Sequence, residues 1–188
     1  MSAASAGSSV VFSDASFVKL KLGADYTSYF IFGNEDAATV ANARFLIGYG
    51  NNSGIGNTNP SSAINFFGVG ADSGDTHVSV FHNDNSGLAT KIPLGVNFPA
   101  NTSAVDLYFV KFKLLTSGGV IVTVVNLSNG AIVVNTITTD IPPPNTTRFC
   151  FMQRNNGSTA LAVRMSLIHW SLIRNSYCSK NPSLVALF

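Results

Sequence analysis

The stretch VDLYFVKFKLL-TSGG-VIVTVVNL-SNG-AIVVNTITT, residues 105–139, decides the fold of this chain. Three runs rich in Val, Ile, Phe and Thr are separated by two turns that contain glycine, which is the pattern of a three-stranded antiparallel meander. Because side chains alternate along a strand, Tyr108 and Phe112 share one face of the first run, whereas Lys111 and Lys113 share the other. The lysine face is therefore predicted to meet solvent.

The rest of the chain repeats this pattern of short apolar runs and turns. About twelve strands, with turns every eight to twelve residues or so, predict an all-β protein whose fold is a two-sheet antiparallel jelly-roll sandwich with little or no helix. A short helix is expected only at residues 34–42, with Asn34 as its N-cap. Besides the meander, strands are predicted at residues 10–12, 17–22, 26–32, 44–49, 63–69, 77–82, 88–94, 147–153 and 160–174.

The chain is expected to form a single domain. Its 188 residues are enough for one sizeable core. Residues 1–9 are small and polar, which predicts a flexible arm, and residues 10–188 are assigned to the jelly-roll domain. The apolar stretch 184–188 is predicted to be a last edge strand or a clasp on another subunit. No apolar run reaches the ~18 residues of a membrane span, so no membrane partner is expected.

Charge and composition favour protein or sugar partners. Charged residues make up 11% of the sequence, against about 25% in an average protein. The net charge of +2 is spread along the chain, and nucleic-acid binding needs clustered Lys and Arg, so no nucleic-acid partner is expected. A surface rich in Asn, Ser and Thr with so little charge also predicts a homo-oligomer or a larger assembly.

Neither the cysteines nor the histidines predict a metal or a cofactor. Cys150 and Cys178 are too few for a disulfide framework or a zinc site, and they are interpreted as buried or incidental thiols. His77 and His82 are five residues apart, so they point to opposite faces of a strand and cannot share an ion. We expect both at the surface or an interface, and His169 inside the sandwich.

The carboxylates give no support for catalysis. Asp72, Asp75 and Asp84 form a local group, but their spacing is not that of a calcium loop, and it does not place two carboxylates across one cleft as a glycosidase requires. The sequence also has no nucleophile elbow. We therefore assign no catalytic residues and expect a protein that is not an enzyme.

The glycine- and asparagine-rich segment GNNSGIGNTNPSS, residues 50–62, is predicted to be a long loop without secondary structure. Loops of this length are often functional. It is either a solvated connector or a surface loop that contacts a partner or a glycan. Tyr49 and the asparagines that follow it are the candidates for an exposed ligand patch.

Three segments in the second half of the chain carry a resemblance to a known family. They are LGVNFPANTSAVDLY, VVNLSNGAIVVNTITTDIP and RNNGSTALAV, within residues 78–170 or about half of the chain. They resemble a lectin-type jelly-roll module of tailed-bacteriophage virion proteins. The positions that match this module are Leu94, Gly95, Phe98, Pro99, Asn101, Thr102, Asp106, Leu107, Tyr108, Thr139, Asp140, Pro142, Asn155, Asn156, Gly157 and Ala160.

The resemblance implies a location and partners. Modules of this family resemble receptor-binding tail-fibre heads or other exposed virion parts, commonly homotrimers, so we expect a virion structural protein that contacts other virion proteins and a host surface glycan. The alternative is a capsid decoration protein on the head lattice, for which residues 1–9 and 184–188 are the expected contacts with the major capsid protein. A polysaccharide-degrading enzyme on the same scaffold is a less favoured alternative.

Overall fold

The computed structural model describes residues 9–13, 24–34, 43–50, 59–100, 106–143, 149–155 and 165–174. In these ranges every regular element but one is a strand, so the prediction of an all-β protein is confirmed. The exception is a 3₁₀ turn at Pro60–Ser62. The strands are β1 (Ser9–Ser13), β2 (Tyr26–Asn34), β3 (Arg44–Gly50), β4 (Phe66–Ala71), β5 (Ser79–Asn83), β6 (Thr90–Pro93), β7 (Leu107–Leu114), β8 (Val120–Asn126), β9 (Ile132–Ile137), β10 (Phe149–Asn155) and β11 (Met165–Arg174).

The strands form two antiparallel sheets. The six-stranded sheet has the order β1-β10-β3-β4-β5-β6, and the five-stranded sheet has the order β11-β2-β7-β8-β9. The predicted meander is confirmed as β7, β8 and β9, in which Tyr108 pairs with Asn126 and Val120 pairs with Ile137. The chain changes from one sheet to the other after β1, β2, β6, β9 and β10.

Both sheets bury one face in a single core. Phe30 and Phe112 come from the five-stranded sheet, and Tyr49 and Phe67 come from the six-stranded sheet. The Phe67 and Phe112 ring centroids are 5.4 Å apart, and those of Phe30 and Tyr49 are 5.7 Å apart. Each buried aromatic side chain contributes roughly 1.5–3 kcal/mol through loss of water contact. Lys113, on the opposite face of β7, is exposed as predicted.

A smaller apolar cluster covers the outer face of the six-stranded sheet. Leu46 and Phe66 point outward from the sheet, and Ala63 packs on them from the segment that contains the 3₁₀ turn. The prediction of an irregular loop at residues 50–62 is thus wrong at both ends. Gly50 is the last residue of β3, and residues 60–62 form the 3₁₀ turn. The turn is favoured because apolar residues beside it are buried when it packs on the sheet. Residues 51–58 lie outside the described residues.

Some predicted boundaries also change. Asn34 is the last residue of β2, and the fourth strand begins at Phe66 instead of at residue 63. The rest of the predicted helix, the predicted strand at residues 17–22, Met1 to Ser8 and everything after Arg174 lie outside the described residues. No helix in the part of the chain that the structure describes is long and apolar enough to cross a membrane.

Glycine is required where β3 and β4 lie against each other. A Cβ on Gly68 would lie 2.5 Å from the carbonyl oxygen of Ile47 and 3.2 Å from Cδ1 of Leu46. The first contact is with backbone, which cannot move without disturbing the ladder between the two strands. Gly74, in contrast, has open space around its Cα but a φ of +84°.

We expect Gly68→Ala to lower the free energy of unfolding by about 3 kcal/mol, because the added methyl group forces the two strands apart. Gly74→Ala is the control: it makes the same chemical change but carries only the cost of a left-handed backbone, about 1 kcal/mol. Urea denaturation of both variants measures the difference. An equal loss in the two variants would contradict the close-approach explanation.

Candidate functional site

Tyr49 is a core residue and not part of a ligand patch. Its side chain is fully buried, and its hydroxyl donates a 2.6 Å hydrogen bond to Oγ of Ser28 on the facing sheet. The prediction of an exposed Tyr49 is therefore wrong. The alternation along β3 places this residue on the same inward face as Phe45 and Ile47.

Two of the three histidines are placed differently from their predictions. His82 is 4% exposed and points inward, where its Nδ1 lies 2.9 Å from the carbonyl oxygen of Asp140, so the expectation of a surface histidine is wrong. His77 forms an isolated bridge with Pro99. His169 is exposed and not inside the sandwich, after a register irregularity in β11. The described residues contain no group of three or more His, Cys, Asp or Glu that could hold a metal ion.

Two of the three candidate carboxylates share one lysine. Nζ of Lys91 lies 2.6 Å from Oδ1 of Asp75 and 3.0 Å from Oδ2 of Asp72, and it stands 5.6 Å from the centre of the Phe81 ring. Burial alone would lower the pKa of Lys91, but the hydrogen bonds to Asp75 and Asp72 outweigh it and raise the pKa above its ordinary value of 10.5. The second oxygens are used as well, since Asp72 accepts from the N–H of Ser61 and Asp75 from the N–H of Asp72.

This ion cluster holds the 3₁₀ turn segment on the outer face of the six-stranded sheet. Asp84 does not belong to it, because it lies in the β5–β6 turn, where its carboxylate accepts from both the N–H and the hydroxyl of Ser86. These bonds lower the pKa of Asp84. The three carboxylates are thus divided between two structural roles: Asp72 and Asp75 share Lys91, and Asp84 stabilises the β5–β6 turn.

Asp140 joins the two sheets at one end of the sandwich. It follows β9 with a φ of +50°, and its carboxylate accepts from the N–H of Asp84 and the hydroxyl of Thr90. Both donors belong to the β5–β6 hairpin, and His82 of β5 contacts the carbonyl group of the same aspartate. This residue of the TTDIP motif is a structural link between the sheets.

At the other end, two turns are joined through one carbonyl group. The side-chain amides of Asn126 and Asn129 each donate a 2.9 Å hydrogen bond to the carbonyl oxygen of Asn97. Asn126 is fully buried. The LGVNFP segment after β6 and the NLSNG turn after β8 are therefore adjacent in space, although they are about 30 residues apart in sequence.

We call residues 96–97 and 127–129 the loop rim. It combines exposed amides, from Asn97 and Asn129, with exposed apolar side chains, since Val96 is 78% and Leu127 is 48% exposed. An asparagine side chain has two N–H donors and a carbonyl acceptor, which match the hydroxyl groups of a sugar. The rim is the arrangement in the described residues that best suits a neutral polar ligand.

The rim stands on a rigid base. Under it, the hydroxyl of Tyr108 donates to the carbonyl oxygen of Pro99, and burial, with a smaller effect from the charge of Asp106, raises the pKa of Tyr108. The tyrosine therefore stays neutral and keeps donating its proton across the physiological range. Loops that a rigid sandwich positions in this way are where binding residues are commonly found.

Sequence reasoning missed the rim as a site. Its two segments carry the family resemblance, and the second contains the SNG turn of the meander, but neither pattern predicts a shared site. The contact between Asn97 and Asn126 spans 29 residues, and no local pattern reports such a contact. The combination of a glycine-containing turn with two asparagines in NLSNG was the available signal.

Comparison with known proteins supports the fold. No protein-family model matches the sequence, and no curated protein matches it. Among solved structures, a protein of unknown function from Shewanella oneidensis MR-1 has a TM-score of 0.53 at 19% identity, covering 91% of this chain, which spans 64% of that protein. Peanut lectin has a TM-score of 0.56 at 14% identity, with 89% of this chain and 82% of the lectin covered.

An alginate lyase is similar as well, with a TM-score of 0.52 at 12% identity over 93% of this chain and 74% of the enzyme. At these identities the likeness concerns the fold alone. The predicted jelly-roll sandwich is confirmed. Since lectins and a lyase share this fold, the fold does not choose between binding and catalysis.

The Lys91 cluster can be tested through stability. We expect Lys91→Met to lower the free energy of unfolding by about 2 kcal/mol, because it leaves Asp72 and Asp75 without their cation. Lys113→Met, at an exposed position, is the control and should change stability by no more than about 0.5 kcal/mol. Chemical denaturation measures both.

The pH dependence of that difference follows from the raised pKa of Lys91. A group with a raised pKa in the folded state contributes its full stability below its unfolded value, here 10.5, and loses that contribution as the pH rises through the folded value. The difference between wild type and Lys91→Met should therefore persist at about pH 9 and shrink under more alkaline conditions. A difference that vanished at about pH 9 would contradict the ion-pair explanation.

Proposed function

We propose that this chain is a non-enzymatic virion protein of a tailed bacteriophage, exposed on the particle as a receptor-binding tail component. The observation that carries the proposal is the loop rim, where exposed amides stand beside exposed apolar side chains on a lectin-like sandwich. The ligand expected for such a surface is a host surface glycan. The resemblance of residues 78–170 to phage virion modules supports the location, and it implies a homotrimer.

The rim suits a glycan for two physical reasons. When a sugar binds, its hydroxyl groups exchange hydrogen bonds with water for hydrogen bonds to amides, and the net change in free energy is small. Binding therefore depends on amides that are already held in place, because ordering them on binding would cost free energy. Asn129 is fixed by its bonds to Asn97 and Ala131. Val96 and Leu127 can then cover the apolar face of a sugar ring, which adds favourable burial.

We expect the double variant Val96→Ala/Asn97→Ala to weaken glycan binding by about tenfold or more, because it removes one hydrogen-bonding side chain and one apolar contact. The backbone carbonyl of residue 97 is retained, so the bonds from Asn126 and Asn129 persist. The matched control is Leu88→Ala/Thr116→Ala at the opposite end, where Leu88 is 77% exposed. A glycan array followed by a host-cell adsorption assay gives the measurement.

Three results would count against the proposal. Wild-type protein that binds neither glycans nor host cells would exclude receptor binding. Equal losses in the rim variant and its control would exclude the rim as the site. Release of oligosaccharide from host envelope that is abolished by mutation of Asp72 or Asp75 would favour the polysaccharide-degrading alternative. The engagement of both carboxylates by Lys91 argues against that alternative.

A capsid decoration protein is the second candidate, and one observation favours it. The outer face of the five-stranded sheet carries exposed apolar side chains, including Ile132 at 64% and Val134 at 59%. A lattice of major capsid protein could cover such a face. Immunogold labelling of intact particles distinguishes the two roles, since label at the tail tip supports receptor binding and label over the head supports decoration.

A further inference from the structure

Among the described residues, β9 lies at an edge of its sheet, and it lacks the features that normally prevent strand addition. Its sequence, IVVNTI over Ile132–Ile137, has no charged residue and no proline. The edge strand β6 contains Lys91 and Pro93, and the edge strand β11 is irregular between Leu167 and His169. Lysine, proline and bulges are means by which sheet edges avoid pairing with another chain. The fourth edge, β1, is also uncharged, so two further observations single out β9.

The first concerns the groups that β9 presents. The N–H of Asn126 donates to the carbonyl oxygen of Ala131, which makes these two residues a hydrogen-bonded pair of the β8–β9 ladder. Such pairs alternate with pairs that are not hydrogen-bonded. The backbone N–H and C=O groups of Ile132, Val134 and Thr136 therefore point away from β8, to the side where the described residues supply no further strand.

The second observation is an unsatisfied amide. Nδ2 of Asn135 is buried and has no hydrogen-bond partner in the described part of the chain. Asn135 is opposite Val122 in register, and Val122 belongs to the core, so the amide lies on the inward side of the edge strand. A buried amide without a partner costs free energy that a neighbouring acceptor would recover.

We propose that β9 pairs antiparallel with β9 of a second copy of this chain, with a two-fold axis at Asn135. Residues directly opposite each other in a ladder share a face, and the two faces alternate along a strand. The axis must therefore lie at a residue, which is then opposite its own copy, and not between two residues. With the axis at Asn135, the Asn135 residues of the two copies lie opposite each other as a pair that is not hydrogen-bonded through the backbone. Their Cβ atoms are then about 4.5–5.5 Å apart. Each Asn135 Nδ2 can then donate to Oδ1 of the other amide.

This register also uses the outward backbone groups. Val134 of one copy lies opposite Thr136 of the other, and the two such pairs form about four backbone hydrogen bonds. No charged side chain is present on β9, so the two strands oppose no like charges. A single amide at the axis fixes the register, as one buried asparagine does in a coiled coil. The result is one sheet that runs through both copies.

The dimer does not depend on the function proposed above. Its two-fold symmetry differs from the homotrimer that the phage resemblance implies, so the mass of the protein in solution distinguishes them. We expect light scattering after size-exclusion chromatography to give twice the mass of the chain.

Two variants separate the edge from the face beside it. Val134→Pro removes an N–H that points away from β8, so the fold of each copy should persist while the dimer dissociation constant rises about tenfold or more. Val125→Lys places a charge on the same outer face but on β8, away from the edge, and should leave the dimer intact. Circular dichroism confirms that both variants are folded.

The register has its own test. Under oxidised glutathione, Asn135→Cys should give a disulfide-linked dimer, because the two thiols face each other across the axis. Val133→Cys is the control, since position 133 lies opposite position 137 in this register, and it should not cross-link above the level of wild type.

A wild-type mass of one or three chains would overturn the proposal. So would a dimer that Val125→Lys disrupts and Val134→Pro does not, because the outer face and not the edge would then be the interface. Cross-linking of Val133→Cys in place of Asn135→Cys would exclude the proposed register.

Discussion

The packing of Phe30, Tyr49, Phe67 and Phe112 between the two sheets is the interaction on which the rest of the structure depends. It requires each sheet to turn one face inward, and that requirement determines which side chains of each strand are buried. It also explains why His82 is buried. Because paired residues share a face, a histidine opposite Phe67 must point into the sandwich, where it contacts the Asp140 carbonyl.

Two polar links complete the sandwich at its ends. Asp140 connects the chain after β9 to the β5–β6 hairpin, and the carbonyl of Asn97 connects the crossover after β6 to the turn after β8. Both links lie where the chain passes between the sheets, and the second of them also supports the exposed residues of the loop rim.

Polar groups with a structural role differ from those available for function in whether their hydrogen-bonding atoms are already engaged. The carboxylates of Asp72 and Asp75 are engaged on both oxygens by Lys91 and backbone N–H groups, so they hold the 3₁₀ turn segment in place. The side chains of Val96 and Asn97 are displayed at the surface of a fixed turn. The buried amide of Asn135 belongs to a third kind, a polar group that the described chain leaves without a partner.

The strands, their alternation and the meander could be predicted from the sequence alone, because the period of two and the glycine-containing turns are local properties. The buried faces of β7 and β8 could be predicted from it for that reason. The pairing of Asn97 with Asn126, the burial of Tyr49 and the position of β9 at the edge of the described sheet became visible only in the folded chain. Each of these depends on which strands become neighbours, and contacts between residues 20 to 60 or so positions apart leave no period in the sequence.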